Sequence, residues 1–238
     1  MPGPELKSGA RKLMRDNAPK FFIISIIFIV IGTLMSELQF RLPGTSKAYD
    51  QLVQQITSGG QLSLDPLYSD LRPPGFALAF LLWLMRPVID VGYMSCCLKT
   101  ARGQGGNYRD LLDGFLFFGK IILIWLMVTI LTALWSLLFI FPGIVAAYRY
   151  RQAYYILLDA PEKGVFRCIR ESKQLMAGNK LDLFLLDLSF LGWFLLDFAV
   201  TAAIPAPFSV PIVSLYLTPY ISLTRAAYYD RLLKKLVV

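Results

Sequence analysis

At 238 residues, 56% of them hydrophobic and 17% charged, with a mean hydropathy of +0.55, the chain is too apolar for an ordinary soluble domain and suits a bilayer as its solvent. It contains no histidine, which removes Ser/His/Asp and Cys/His nucleophilic schemes and the commonest metal ligand. Its net charge of +8 comes without an aromatic-interleaved basic groove or a DNA-binding motif, so the surplus is not read as a nucleic-acid footprint.

Residues 1–20 carry Lys7, Arg11, Lys12, Arg15 and Lys20, with Leu6, Ala10, Leu13 and Met14 on one helical stripe; this is expected to be a cytoplasmic interfacial helix. The apolar, β-branched run from Phe21 to Met35 then starts a first span, about 21–38. A cleaved signal peptide is the rival, but no small-residue cleavage site follows Met35. Residues 39–74 turn polar and form an extracytoplasmic loop, within which Ser46 as N-cap and Gly59 as stop bracket a short amphipathic helix.

The second span, 75–98, is interrupted by Arg86-Pro87 and carries Asp90, four residues from Arg86 and so on its face. It ends near Cys96 and Cys97. With Cys168, these cysteines lack CxxC spacing and fall at or near the cytoplasmic side, so no disulfide is expected; packing is the first reading of the adjacent pair and S-palmitoylation the second. The following KTARGQGGNYRDLLDG has neither the spacing nor the lysine of a phosphate loop and reads as a linker.

The third span covers 115–141 and is ended by the break Pro142-Gly143; Lys120 near its start can snorkel. The fourth, 143–160, is short and contains Arg149 and Arg151. From Glu162 to Lys180, Val165, Ile169, Ser172 and Met176 share a stripe, surrounded by Lys163, Arg167, Arg170, Lys173 and Lys180, which are the candidate contacts for lipid headgroups. The fifth span, 181–204, holds Asp182, Asp187 and Asp197; the sixth, 209–230, holds Pro219 and Arg225, and a basic tail occupies 231–238.

The fold class is therefore all-α: a polytopic membrane protein of about six spans in one domain, 21–230, with basic amphipathic interfacial helices. A cytoplasmic N-terminus puts sixteen Lys/Arg inside against Arg41, Lys47 and Arg72 outside, so both ends are assigned to the cytoplasm of a bacterial cytoplasmic membrane.

Charges inside the membrane cost about 2.5–3.5 kcal/mol each on insertion scales and need partners or water. Counted along each span, Arg149 and Arg151 lie level with Asp197 in the outer half, Asp187 level with Arg225 in the inner half, and Arg86 with Asp90 in the middle. Structural ion pairs, the lining of a transport pathway and simple snorkelling, which suits Arg225 best, are all open readings. Arg151-Gln-Ala-Tyr-Tyr recurs as Arg225-Ala-Ala-Tyr-Tyr, either a remnant of a parallel repeat or chance in a Tyr-rich chain.

Trp135, Leu137, Leu138, Pro142, Gly143, Ile144, Tyr148, Tyr150, Tyr155 and Asp159, followed by Ser172, Lys173, Met176, Gly178 and Lys180, resemble the signature of an uncharacterised integral-membrane family widespread in Gram-positive bacteria. The chain is more distantly similar to the membrane domains of glycerophosphodiester phosphodiesterases, without their catalytic half. The resemblance implies six spans and supplies no catalytic residue, cofactor or metal. Together these readings give a non-enzymatic protein that engages anionic inner-leaflet lipid, a membrane-protein partner or a second copy of itself. The alternative is a small transporter or export component using the embedded Arg/Asp set.

Overall fold

The computed structural model describes residues 3–41, 54–58, 73–203 and 212–237, and every regular element among them is helical. In chain order these are α1 (Gly3–Asp16), α2 (Lys20–Arg41), α3 (Pro73–Ala101), a 3-10 turn (Tyr108–Leu112) running into α4 (Asp113–Leu116), α5 (Phe118–Leu138), α6 (Ile140–Tyr150), α7 (Ala153–Asp159), α8 (Val165–Leu175), α9 (Lys180–Leu188), α10 (Leu191–Ala203) and α11 (Ile212–Val237). Of the expected loop helix, residues 54–57 are helical; the rest of that segment and the connector 204–211 lie outside the described residues.

Two compact units divide the chain, Met1–Ile27 with Val88–Val238 as one and Phe28–Pro87 as the other. In the smaller unit Arg86 donates from Nη1 to the Gly32 carbonyl at 3.2 Å, and Phe80 packs on Trp83 with ring centroids 5.6 Å apart. The larger unit holds the remaining elements and the second half of α3, where Tyr93, Cys96 and Cys97 are buried and Ser25 shares a 2.8 Å hydrogen bond with the Tyr93 hydroxyl.

Four described segments are long and apolar enough to cross a membrane: Lys20–Gln39, Gly75–Ala101, Phe118–Leu138 and Lys180–Val200. They correspond to the expected first, second, third and fifth spans. The expected fourth segment is divided into two short helices, α6 and α7, and the sixth, α11, is one long helix that is less apolar; both segments are largely covered by protein. Tyr150, Ala153, Tyr155, Ile156 and Leu157 on α6 and α7, and Leu217, Tyr220, Leu223, Ala226, Tyr228 and Tyr229 on α11, are all buried. Helices clad by protein need no lipid-compatible surface and can carry arginines and tyrosines. Lipid-compatible surface is carried instead by the four apolar segments, as at Val30 and Leu34 on α2, Phe80 and Leu81 on α3, Leu134 and Leu137 on α5, and Leu195 and Phe198 on α10, all exposed.

The break between the third and fourth segments differs from expectation. The chain reverses at the single extended residue Phe139 (φ −160°, ψ 152°), and a new helix starts at Ile140. Pro142 therefore sits in the first turn of α6, where its missing N–H costs no helical hydrogen bond. Gly143 is required by contact: a Cβ there would fall 2.0 Å from Ser136 Oγ and 2.9 Å from Ser136 Cα on α5. The basic linker after α3 turns through Gly103 and Gly105, both at positive φ, and leads into a capping box in which Asn107 and Asp110 satisfy each other's backbone N–H groups.

Candidate functional site

Asp187 on α9 is the point where three helices meet chemically. Its Oδ2 accepts from Arg151 Nη1 at 2.7 Å and from the Tyr148 hydroxyl at 3.1 Å; its Oδ1 accepts from Arg225 at 3.0 Å. The carboxylate side chain is only 12% exposed. The Arg151 guanidinium also lies 5.6 Å from the Tyr148 ring centre, and Tyr148 meets Phe184 edge-on at 5.8 Å. Two guanidinium groups on one carboxylate leave the cluster with a formal surplus of one positive charge.

The two Arg-x-Ala-Tyr-Tyr segments meet at this point, one at the turn from α6 into α7 and the other within α11. Arg151 and Arg225 bind opposite oxygens of Asp187, and the last residues of the two segments, Tyr155 and Tyr229, stack with centroids 4.9 Å apart and planes 17° from parallel. Arg225 and Tyr229, four apart on α11, share a helix face, and Arg151 precedes Tyr155 by the same spacing across the turn into α7. The repeated sequence is thus a repeated contact surface around one carboxylate.

The remaining embedded charges have different surroundings. Arg151 meets Asp187 rather than the expected Asp197, whose Oδ2 instead accepts from Ser214 Oγ and whose Oδ1 accepts from the Ser214 N–H at 3.2 Å. Because α6 begins at Ile140, Arg151, the residue just past its end, lies about 16 Å from its start, while Asp187 lies about 10 Å from Lys180 at the start of its own segment; the two distances sum to roughly one hydrocarbon thickness. Arg149 is half-buried with its guanidinium 5.9 Å from the Tyr150 ring, and its carbonyl accepts from Ser172 at 2.9 Å. Arg86 reaches the Gly32 carbonyl as above, and Asp90 is half-buried in the other unit.

The second arrangement is the basic helix α8. Val165, Cys168, Ile169, Ser172 and Leu175 turn inward, together with Met176 just beyond. On the outward arc Phe166 is 67% exposed, and Arg170 and Lys173 follow it at helical spacing, both exposed. Neither cation has a carboxylate within 4.0 Å among the described residues. Lys163 and Arg167 differ: both bind Glu171, at 2.7 and 2.9 Å. Partial burial works against the Glu171 carboxylate, but hydrogen bonds from Lys163 and Arg167 outweigh it and hold its pKa below the ordinary value. Lys180 is half-buried at the start of α9. Lys120 donates to the carbonyls of Pro161 and Lys163, tying the start of α5 to the loop before α8.

Two networks had no counterpart in the sequence reading. Arg102 binds Asp159 through two hydrogen bonds of 2.7 and 2.8 Å and reaches Asp230 at 3.1 Å, while the Tyr229 hydroxyl donates to Asp159 at 2.9 Å. Lys99 joins Asp110 and Asp113 at 2.6 and 2.7 Å. The available signal was that Asp159 and Asp230 each close an apolar segment at the end facing the basic linker. Among the described residues no three acidic or thiol side chains converge as metal ligands.

The Asp187 cluster and α8 both fall within residues 140–236, which match the model of a family described as a protein of unknown function (DUF975). No curated protein and no solved structure matches the chain.

Proposed function

We propose that this is a non-enzymatic polytopic protein of a bacterial cytoplasmic membrane, with both termini in the cytoplasm, that engages the anionic inner leaflet through its basic helices. The observation that carries the reading is the Phe166–Arg170–Lys173 arc: an exposed aromatic flanked by two cations without carboxylate partners among the described residues. An amphipathic helix in the interface uses such an arc to insert its ring below the headgroups while its cations meet lipid phosphates, at about 1 kcal/mol per Lys or Arg. Lys163 and Arg167, already bound to Glu171, contribute less, and Lys180 is half-buried at the start of α9, which leaves Arg170 and Lys173 as the principal two of the five headgroup candidates.

The second reading, transport through the embedded charges, draws on the positive surplus at Asp187. Against it, the carboxylate is nearly buried and carries three hydrogen-bonded partners, the organisation of a clamp between helices.

Protein reconstituted in nanodiscs of mixed phosphatidylglycerol and phosphatidylcholine, released and weighed with its retained lipid by native mass spectrometry, tests the proposal. Wild type is expected to retain phosphatidylglycerol preferentially, Arg170→Gln/Lys173→Gln to lose most of that preference, and Arg167→Gln to lose little. Equal retention of both lipids by the wild type overturns the reading.

A further inference from the structure

A cavity of about 350 Å³ lies between α1 and α9, and its walls carry charges of both signs. Lys7 and Arg11, one turn apart on α1, line it with Asp182 from the first turn of α9; Pro4, Leu185 and Leu186 supply apolar surface. Its volume falls within the roughly 300–1,000 Å³ of small-molecule sites. No nitrogen of Lys7 or Arg11 comes within 4.0 Å of an Asp182 oxygen, and among the described residues none of the three has any other ion-pair partner.

Opposite charges on flexible side chains facing one cavity ordinarily close on each other. Here one of the cations has contacts of its own: Lys7 Nζ donates to the Ser189 carbonyl at 3.3 Å and sits 4.3 Å above the centre of the buried Phe190 ring. Burial and then the neighbouring Arg11 charge both lower the Lys7 pKa, so the cationic end would be relieved by an incoming anion. Asp182 is half-buried and accepts no hydrogen bond from any described residue. An occupant that satisfies both walls needs an anion and a hydrogen-bonding cation on one short frame, and an apolar part to lie along Leu185 and Leu186.

We infer that this cavity binds a phospholipid whose headgroup carries a phosphate and a primary ammonium, with the phosphate between Lys7 and Arg11, the ammonium on Asp182, and an acyl chain leaving past Leu185 and Leu186. A headgroup that is only anionic sets a second negative charge against Asp182, and a quaternary ammonium has no N–H for that carboxylate. The site rests on the inner-leaflet reading above, since α1 and Lys180 must face that leaflet, but it is tested on a different selectivity.

Nanodiscs with a fixed fraction of phosphatidylglycerol are prepared with the remainder as phosphatidylethanolamine, its N-monomethyl or N,N-dimethyl derivative, or phosphatidylcholine, and retained lipid is counted by native mass spectrometry. Net headgroup charge is constant across this series, so the α8 arc does not discriminate within it. Wild type is expected to favour phosphatidylethanolamine over phosphatidylcholine by about tenfold, the scale of one charge-assisted hydrogen bond, with retention falling at each methylation. Asp182→Asn is expected to abolish that ratio, and Lys7→Gln/Arg11→Gln to weaken retention of the whole series. Excess soluble glycerophosphoethanolamine is expected not to displace the lipid; displacement assigns the site to the free headgroup and overturns the lipid. A wild type indifferent to methylation overturns the proposal even if its phosphatidylglycerol preference is intact, and this measurement needs no variant to fold.

Discussion

Asp187 and the outward arc of α8 present the same cations in opposite circumstances. At Asp187 two arginines converge on one nearly buried carboxylate and a tyrosine hydroxyl completes it. On α8, Arg170 and Lys173 face outward beside Phe166 with no acidic partner among the described residues. In low dielectric an unmatched charge is prohibitive, so the interior cations are committed to the fold; at a wet surface an unmatched charge is cheap and remains free for a ligand. An arginine in this chain is therefore informative only once its carboxylate is known.

The largest effect expected from this contrast is on stability. Asp187→Leu leaves two half-buried guanidinium groups without their shared carboxylate and is expected to cost up to about 3 kcal/mol, read as a lowered thermal transition in detergent. The compensated variant Arg151→Met/Asp187→Leu/Arg225→Met is expected to recover most of the loss, because apolar side chains of similar volume leave no charge unpaired. Arg170→Gln/Lys173→Gln is expected to change stability by less than about 0.5 kcal/mol. A fully stable Asp187→Leu protein removes the distinction between the two regions.

Next in size is the helix reversal that sets the depth of Arg151. Gly143→Ala drives a methyl group against Ser136, including its Cα at 2.9 Å, and is expected to cost about 1–3 kcal/mol. Ser136→Gly in the same chain removes the Oγ contact but not the backbone one, so rescue is expected to be partial. Full rescue would place the conflict in the side chain alone.

The amphipathic faces were legible from spacing: Ala10 and Met14 on α1, and Val165, Ile169, Ser172 and Met176 around α8, all turn inward, because one buried face imposes its period on the sequence. The apolar spans were legible by length and hydropathy for the lipid-clad helices and less so for α6, α7 and α11, where protein replaces lipid as the surroundings. Embedded-charge pairing by depth depended on one boundary. Starting the fourth segment after Pro142-Gly143 instead of after Phe139 shifts Arg151 by about 6 Å, enough to exchange Asp187 for Asp197. The Arg-x-Ala-Tyr-Tyr echo was visible as letters, but its meaning needed Asp187, which lies between the two copies and belongs to neither. Arg102, Asp159 and Asp230 are joined only by the tertiary fold, and no periodicity reports that.

The stacked tyrosines offer a smaller test of the same clamp. A double-mutant cycle of Tyr155→Leu and Tyr229→Leu is expected to give a coupling of about 0.5–1.5 kcal/mol for the ring pair. Tyr229→Phe keeps the ring and loses only the hydrogen bond to Asp159, so its cost of about 1 kcal/mol is separable from the coupling. A coupling near zero would mean that the echo carries its energy in the arginines alone.

The smallest effect falls on the border between the two regions, at Glu171, where Lys163 and Arg167 are surface cations that do have a partner. Its folded pKa lies below the ordinary glutamate value of 4.5, so its stabilisation is fully present above about that pH and is lost as pH falls through the lower folded value. With the carboxylate partly exposed the whole contribution is about 0.2–1 kcal/mol, seen as a difference in melting temperature between wild type and Glu171→Gln that closes from pH 7 toward pH 3. A difference constant with pH would show that the charge is not its source. The same substitution releases Lys163 and Arg167 to join Arg170 and Lys173, so at pH 7 Glu171→Gln is expected to retain more phosphatidylglycerol than wild type while being slightly less stable. Opposite signs for stability and lipid retention from one carboxylate are what a surface divided between committed and free cations requires, and retention unchanged by the release would confine headgroup contact to the Phe166 arc.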